Sequence, residues 1–227
     1  MEEKDTKFEE LDCRVMKTRE LSPKELDSIH RLFELSYEKA NHSYLDKSLS
    51  RLSYIALAYH GKALTCFAVG DVIESIIPGM RDSQIIHAGG ISCIAPEFRR
   101  RGLFRKLQMF IAAGTGKIKS DSNVITCGRM AHPASSRVIS SYPGAIPKYG
   151  VVLSEWHKEM GVFLAELYGA VIDPDTFVVR GEGSPIGYPK VNVVATAEEW
   201  ALFKNVDRDR GDSLLFVAWY PDKPEEW

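Results

Sequence analysis

The stretch ISCIAPEFRRRGLFRKL, residues 91–107, decides the fold expected of this chain. Its apolar first part ends at Ile94, and Pro96 then ends the strand because proline cannot donate to a strand ladder. Behind the arginines, apolar residues recur at helical spacing, as Leu103, Phe104, Leu107, Phe110 and Ile111. The stretch therefore predicts a strand, a tight basic loop and an amphipathic helix.

The loop between that strand and helix has the features of an anion site. First-turn N–H groups of a helix have no intrahelical partner, and the macrodipole adds partial positive charge there. Three consecutive arginines supplement that charge, and Gly102 leaves the backbone open to close approach. A solvated basic corner is the alternative interpretation of such an arginine run. The strand before the loop and the helix after it favour the anion site.

Strands and helices are expected on both sides of this stretch. Ser22-Pro23-Lys24-Glu25 is a capping box that begins a first helix, and His60-Gly61-Lys62 joins two strands in a hairpin. Residues 43–51 are ambiguous and can form a second helix. We predict strands at 13–18, 53–59, 63–70 with an extension to 76, 85–94, 124–127, 177–180 and 214–220, and helices at 23–40, 103–114, 133–142, 157–168 and from 196.

Composition and charge exclude several classes of protein. Of the 227 residues, 44% are apolar and 26% are charged, which argues against a disordered, fibrous or membrane protein. The 29 Lys and Arg against 31 Asp and Glu give a net charge of −2, so we expect no nucleic-acid or membrane partner. Residues 1–10 lack the apolar stretch of a signal peptide, and we expect a cytoplasmic protein.

The cysteines indicate neither a zinc site nor a disulfide framework. Cys13, Cys66, Cys93 and Cys127 lie far apart, with no CxxC pair and no nearby histidine cluster. We therefore expect reduced, mostly buried thiols and no bound metal.

The 91–107 stretch resembles the GNAT superfamily of N-acetyltransferases. That family's acetyl-CoA signature is Arg or Gln, two residues, Gly, one residue, then Gly or Ala, placed just after a strand that ends in an apolar residue, one residue and Pro. Here Ile94-Ala95-Pro96 precedes Arg99 and Gly102 at the first two signature positions. Phe104 departs from the third position by its size.

The resemblance implies a fold class and a domain layout. Over residues 13–149 the element order matches an α/β fold of GNAT type, with a mixed, mostly antiparallel twisted sheet flanked by helices. We expect residues 1–150 to form the acyl-CoA-binding core and residues 151–227 to form an extension packed on the same domain. A second family motif of Asn, Ala and Tyr falls on Ser135, Val138 and Tyr142, and only the Tyr is retained.

The resemblance also implies which residues bind the cofactor. Backbone amides of residues 100–104 would hold the CoA pyrophosphate, and the backbone of residues 91–94 would pair with the pantetheine arm as an added strand. Gly89 and Gly90 either form a bulge that opens this slot or accommodate sheet twist. The expected cofactor-binding residues are Ile91, Ser92, Cys93, Ile94, Arg99, Arg100, Arg101, Gly102, Leu103, Phe104 and Ser135.

Three residues are candidates for catalysis. Tyr142 is the expected acid for the leaving thiolate, and His87 or Glu74 is the expected base. Each has a structural alternative: Tyr142 as a packing residue, His87 as a core or edge residue, and Glu74 as a solvent-facing one. Ser135 or Ser136 is either a helix N-cap or a cofactor contact.

The function that follows is an acyl-CoA-dependent N-acyltransferase. The most direct version transfers acetyl from acetyl-CoA to an unidentified amine by direct attack in a ternary complex. Two alternatives stay open: a catalytically inactive GNAT-fold ligand-binding or regulatory module, and an acyltransferase whose donor is not CoA. No sequence pattern identifies the acceptor or the oligomeric state. A homodimer is one possible state.

Overall fold

A computed structural model describes residues 10–119, 122–142, 144–190 and 194–227. The helices of these residues are α1 Pro23–Ser36, α2 His42–Arg51, α3 Leu103–Gly114, α4 Pro133–Ser140, α5 Glu155–Leu167 and α6 Ala197–Leu202. The strands are β1 Asp12–Lys17, β2 Tyr37–Glu38, β3 Tyr54–His60, β4 Ala63–Ile76, β5 Ser83–Ile94, β6 Val124–Met130, β7 Ile172–Asp173, β8 Val178–Val179, β9 Tyr188–Pro189 and β10 Ser213–Tyr220.

Eight of these strands form one mixed sheet in the order β1-β3-β4-β5-β6-β10-β8-β7. β5 and β6 run parallel, whereas β1 with β3, β3 with β4, β6 with β10, β8 with β10 and β7 with β8 pair antiparallel. The predicted fold class, a mixed α/β protein with a mostly antiparallel sheet flanked by helices, is therefore confirmed. β2 and β9 form a separate two-stranded ladder.

The described chain divides into two compact units. Unit 1 comprises residues 10–71, 90–115 and 186–190, and unit 2 comprises residues 72–89, 116–185 and 194–227 apart from the gaps given above. The predicted division of the chain at residue 150 stays a prediction.

In unit 1, α1 begins at the predicted capping box. The Ser22 side chain accepts from the Glu25 N–H, and the Glu25 carboxylate accepts from the Ser22 N–H at 2.7 Å. Its apolar face is buried through Ile29, Leu32 and Phe33. The expected extension to residue 40 was wrong, because Tyr37 leaves the helix and pairs with Pro189 in β2 and β9.

The ambiguous segment 43–51 is a helix, α2, which begins one residue earlier at His42. The Asn41 side chain caps it by accepting from the Tyr44 N–H at 3.1 Å. Leu45 and Leu49, one turn apart, are its buried residues. Capping and an apolar stripe together explain why this short segment is helical.

In unit 2, β10 is the central buried strand. It pairs with β6 from Leu214–Met130 to Tyr220–Val124, and Phe216 and Trp219 are almost fully buried. α5 packs beside this core at Gly161, where an added Cβ would lie 2.8 Å from the Phe177 ring. The helix therefore needs glycine there for close packing.

Candidate functional site

The basic loop begins with a tight turn at the end of β5. Ala95 donates its N–H to the Thr65 carbonyl at 2.8 Å, and residues 96–98 form one turn of 3-10 helix. Phe98 is buried beneath that turn, which anchors the chain before the arginines. The predicted order of strand, tight loop and helix is confirmed.

Two residues of the loop adopt left-handed backbone conformations. Arg100 has φ of 65° and Gly102 has φ of 70°, while Arg101 between them lies outside the left-handed region. Anion-binding loops of the nest type also place residues of left-handed backbone next to residues of right-handed backbone. A left-handed arginine is strained, and strain of this kind makes the loop a candidate for a functional backbone shape.

Gly102 is the N-cap of α3, and no side chain of the described residues caps the helix. Lys106 donates its N–H to the Gly102 carbonyl at 3.3 Å, so the N–H groups of residues 103–105 belong to the first turn, which has no intrahelical acceptor. A Cβ placed on Gly102 would meet no atom of the described part of the chain within 4 Å. Among the described residues, nothing fills the Cβ position of Gly102, which lies beside a helix N-terminus with positive partial charge.

Two of the three arginine side chains hold the loop itself. Arg99 donates Nε–H to the Ile94 carbonyl at 3.0 Å and a second N–H to the Lys190 carbonyl. Arg101 donates to the Glu97 carbonyl at 2.9 Å and places its guanidinium over the Phe98 ring. The Arg99 and Arg101 side chains therefore fix the shape of the loop. Their positive charges lie next to the loop backbone.

The expected pantetheine strand, residues 91–94, is tied to α3 from one side. Ile91 and Cys93 are buried, whereas Ser92 and Ile94 are half-buried. Gln108 on α3 donates Nε2–H to Ser92 Oγ at 3.0 Å and to the Val69 carbonyl at 3.3 Å, and its buried Oε1 has no hydrogen-bond partner among the residues that the structure describes. Sequence reasoning missed Gln108, because no local pattern shows that a polar residue of this helix reaches Ser92 and Val69.

Gly90 is required by close packing. A Cβ there would lie 2.4 Å from Leu52 Cδ1 and 3.1 Å from the Val69 carbonyl oxygen. The glycine thus allows a neighbouring backbone to approach the strand.

The two candidate bases lie on different strands of unit 2. His87 on β5 is 7% exposed, and its Nδ1 lies 3.4 Å from Oγ1 of Thr126, its register partner on β6. Glu74 on β4 is exposed to solvent. The contacts of His87 suit a core histidine as well as a base.

The junction of β6 and α4 differs from the prediction. His132 is the N-cap of α4, with Nδ1 accepting from the Ala134 N–H at 3.1 Å. Ser136 is buried and donates to the Pro133 carbonyl, and Ser135 is half-buried, so the expected serine N-cap was wrong. An imidazole nitrogen replaces the serine oxygen because Pro133 already occupies the first helical position.

The electrostatics of His132 agree with its role as an acceptor. Burial lowers the pKa of His132, and the nearby Arg208 and Arg137 lower it further, which favours the neutral ring. The edge of the ring packs against Trp200, with ring centroids 5.1 Å apart.

Tyr142 follows the end of α4 and is half-buried. Its ring contacts the Tyr220 ring in a T-shaped arrangement, with centroids 5.5 Å apart. Its N–H donates to the Ile139 carbonyl at 2.9 Å, so the turn after the helix fixes its backbone. The ring is thus positioned by packing.

Tyr168 is a further residue that the sequence did not indicate. Its buried hydroxyl lies 3.0 Å from the Gly89 carbonyl oxygen and 3.2 Å from the Cys127 carbonyl oxygen. The parallel register between β5 and β6 ends at the Gly89–Gly128 pair, so this hydroxyl joins the two strands at the last pair of the ladder. It comes from the segment after residue 150, for which no role was predicted.

The thiols are unsuited to nucleophilic chemistry, as expected. Cys66, Cys93 and Cys127 are buried, and burial raises the pKa of each thiol to about 12.

No group of three or more His, Cys, Asp or Glu in the described ranges could hold a metal ion. Among the same residues, no helix is both long and apolar enough to cross a membrane.

Comparison with known proteins gives fold-level likeness only. No family model matches the chain, and no curated protein matches it. The ribosomal-protein-S18-alanine N-acetyltransferase from Escherichia coli is similar with a TM-score of 0.44 at 10% identity, over 95% of this chain and 99% of that one. An acyl-CoA N-acyltransferase from Pseudomonas aeruginosa gives 0.40 at 16%, over 64% and 92%. A GNAT family N-acetyltransferase from Escherichia coli in complex with CoA gives 0.37 at 16%, over 57% and 67%. Likeness of this degree assigns no activity.

Proposed function

We propose that this chain is an acyl-CoA-dependent N-acyltransferase of GNAT type that transfers acetyl from acetyl-CoA to an amine. The observation that supports this most is the start of α3, where the left-handed Gly102 precedes first-turn amides without a side-chain cap, and where an added Cβ would meet no described atom within 4 Å. It coincides with the part of the sequence, Arg99-x-x-Gly102, that resembles the acetyl-CoA signature.

In this proposal, the CoA pyrophosphate binds the backbone amides of residues 100–104. Main-chain donors pay little ordering entropy, because the loop is already held by Arg99 and Arg101 through carbonyls of the protein itself. Hydrogen bonds to a charged phosphate are stronger than neutral ones, and the helix dipole favours the anion. The half-buried Phe104 side chain leaves its own amide available.

The pantetheine arm pairs with the backbone of residues 91–94 in the manner of an added strand. Gln108 supports this segment by holding Ser92, and buried Ile91 and Cys93 fix the opposite face of the strand. Affinity then comes from main-chain hydrogen bonds, as it does wherever an extended ligand adds to a strand.

Transfer requires three groups to act on one thioester. The nitrogen of a neutral amine attacks the thioester carbonyl carbon, the tetrahedral intermediate collapses, and the carbon–sulfur bond breaks. The amine loses a proton to a base, for which His87 and Glu74 are the candidates, and Tyr142 protonates the departing thiolate. The products are an amide and free CoA.

A CoA-binding module without turnover is the second candidate. It is favoured by Tyr142, whose ring packs on Tyr220 as a structural residue does, and by the large Phe104 at the third signature position. Both candidates share the same cofactor loop and differ only in chemistry.

The test combines binding with turnover. Isothermal titration with acetyl-CoA measures binding, and release of free CoA thiol in the presence of a panel of primary amines measures transfer. The proposal expects saturable binding and amine-dependent thiol release. Binding without release supports the module, and absence of binding for both acetyl-CoA and free CoA refutes both candidates.

A further inference from the structure

Two histidines and two carboxylates of unit 1 form a row between α1 and α2. His30 and Glu34 lie one turn apart on α1, and His42 and Asp46 lie one turn apart on α2. Each histidine contacts the acid of the other helix: His30 Nε2 lies 3.0 Å from Asp46 Oδ1, and His42 Nε2 lies 2.9 Å from Glu34 Oε1. The two remaining ring nitrogens, both Nδ1, are 2.6 Å apart.

The two imidazole rings meet edge to edge. Their centroids are 4.9 Å apart and their planes differ by 20°. The two centroids are farther apart than the two Nδ1 atoms, and the difference is about the sum of the two ring radii. Both Nδ1 atoms therefore lie close to the line that joins the ring centres. The in-plane lone pair of one Nδ1 therefore points at the other.

This arrangement requires a cation between the rings. A carboxylate only accepts, so each Nε2 must carry the hydrogen that it donates. A neutral imidazole has one N–H, which leaves a lone pair on each Nδ1 of His30 and His42. Two facing lone pairs at 2.6 Å repel unless a proton or a metal ion joins them.

The backing of each ring by a carboxylate matches what metal ligands need. A histidine that binds a metal through one nitrogen usually donates its other N–H to a carboxylate or carbonyl, which fixes the tautomer and raises the basicity of the ligand. Here Asp46 and Glu34 do this for both histidines, and their two negative charges favour a dication. We propose that His30 and His42 bind a late first-row divalent metal ion, such as Zn²⁺ or Ni²⁺, through their Nδ1 atoms.

The geometry admits such an ion after a small adjustment. Zinc–imidazole bonds of about 2.0–2.1 Å place two nitrogens of a tetrahedral site about 3.3 Å apart, so the rings separate by about 0.7 Å. The side chains are 27% and 39% exposed, which allows that movement and gives the ion access. Water supplies the remaining ligands of the ion. The proposed site therefore has two protein ligands, fewer than the groups of three or more residues considered above. Imidazole suits zinc and nickel among divalent ions. Once bound, the ion links α1 to α2, because one ligand lies on each helix.

Metal binding to the full-length chain is the direct test. Protein treated with EDTA and then dialysed is titrated with Zn²⁺ and, separately, Ni²⁺ against a competing indicator. His30→Ala and His42→Ala should each abolish competition, while His60→Ala, which changes an exposed histidine of the same unit, should leave it unchanged. Binding by the wild type that is no tighter than binding by the double alanine variant would overturn the proposal and leave a shared proton between the rings.

A second test changes the two carboxylates and leaves both proposed histidine ligands in place. Asp46→Asn and Glu34→Gln keep the shape of each side chain but weaken the support of the imidazole, and each should lower metal affinity by about 10- to 100-fold. Unchanged affinity in both variants would contradict the proposed arrangement. Circular dichroism of the metal-free variants checks that each is folded.

Discussion

Replacing Gly102 by Glu tests the anion loop against a matched glycine. Gly102 and Gly61 both have left-handed backbones, with φ of 70° and 60°, and at either position an added Cβ meets no described atom within 4 Å. A side chain in that conformation costs roughly 1–2 kcal/mol, which lowers the Tm of a domain of this size by about 2–8 °C. Gly102→Glu and Gly61→Glu should therefore lose similar stability.

Their effects on CoA should differ. At Gly102 the new carboxylate repels the pyrophosphate and blocks the first-turn amides of α3, whereas Gly61 lies in the hairpin between β3 and β4. Losing one hydrogen bond to a charged group costs about 1.5–3 kcal/mol, which raises Kd about 10- to 150-fold. Isothermal titration with CoA should show this rise for Gly102→Glu and a change under about twofold for Gly61→Glu.

A methyl group at the same position separates strain from obstruction. Gly102→Ala should lower Tm as much as Gly102→Glu does but raise Kd less, because it adds no charge. An equal Kd for CoA in wild type and Gly102→Glu would refute the assignment of the pyrophosphate to this loop. An equal rise in both glutamate variants would show that the effect is general destabilisation.

Four further predictions concern single side chains. Arg101→Ala should raise the Kd for acetyl-CoA by about two- to fivefold, since the charge of a surface arginine contributes less than about 1 kcal/mol and Arg99 still holds the loop, and a rise beyond fiftyfold would contradict a backbone-based site. Tyr142→Phe should lower kcat by about 10²- to 10⁴-fold with acetyl-CoA affinity unchanged, and turnover within about threefold of wild type would exclude the acid role. Tyr168→Phe should lower the free energy of unfolding in urea by about 1–3 kcal/mol, because the Gly89 and Cys127 carbonyls lose the one hydroxyl donor that they share, and no change would show that the hydroxyl is dispensable. Arg210 beside the buried Asp212 lowers the pKa of that carboxyl to about 2, so wild type should lose stability as the pH falls from 4 through 2, while Asp212→Asn should lack that part of the loss in acid unfolding curves.

Much of the fold follows from local patterns in the sequence. The capping box at Ser22 and Glu25, the hairpin around Gly61 and the helix after Gly102 are all fixed by residues within a few positions of each other. Local hydrogen bonds and hydrophobic spacing are sufficient to predict such elements.

Elements that depend on distant segments were missed. The end of α1 at Ser36 is set by the pairing of Tyr37 with Pro189, which no local pattern reveals. The N-cap at His132 depends on the orientation of an imidazole ring, and the serines that follow it were the more usual choice.

The candidate site shows the same division. The loop from Arg99 to Gly102 was predicted because strand, glycine and helix follow one another in sequence. Gln108 and Tyr168 were not, because their partners Ser92 and Gly89 are placed beside them only by the folded chain. A side chain that supports a backbone site from another helix or strand belongs to no local sequence motif, so the sequence alone does not reveal it.

The most direct test of the central claim is a TROSY titration of ¹⁵N-labelled protein with CoA. The amide resonances of Gly102, Leu103 and Phe104 should shift more than those of the control turn at Gly61, because the pyrophosphate accepts from the first-turn N–H groups of α3. A repeat with pantetheine, which carries no phosphate group, should leave these three resonances nearly in place. Saturable CoA binding that shifts other amides while those of residues 102–104 stay fixed would contradict the account.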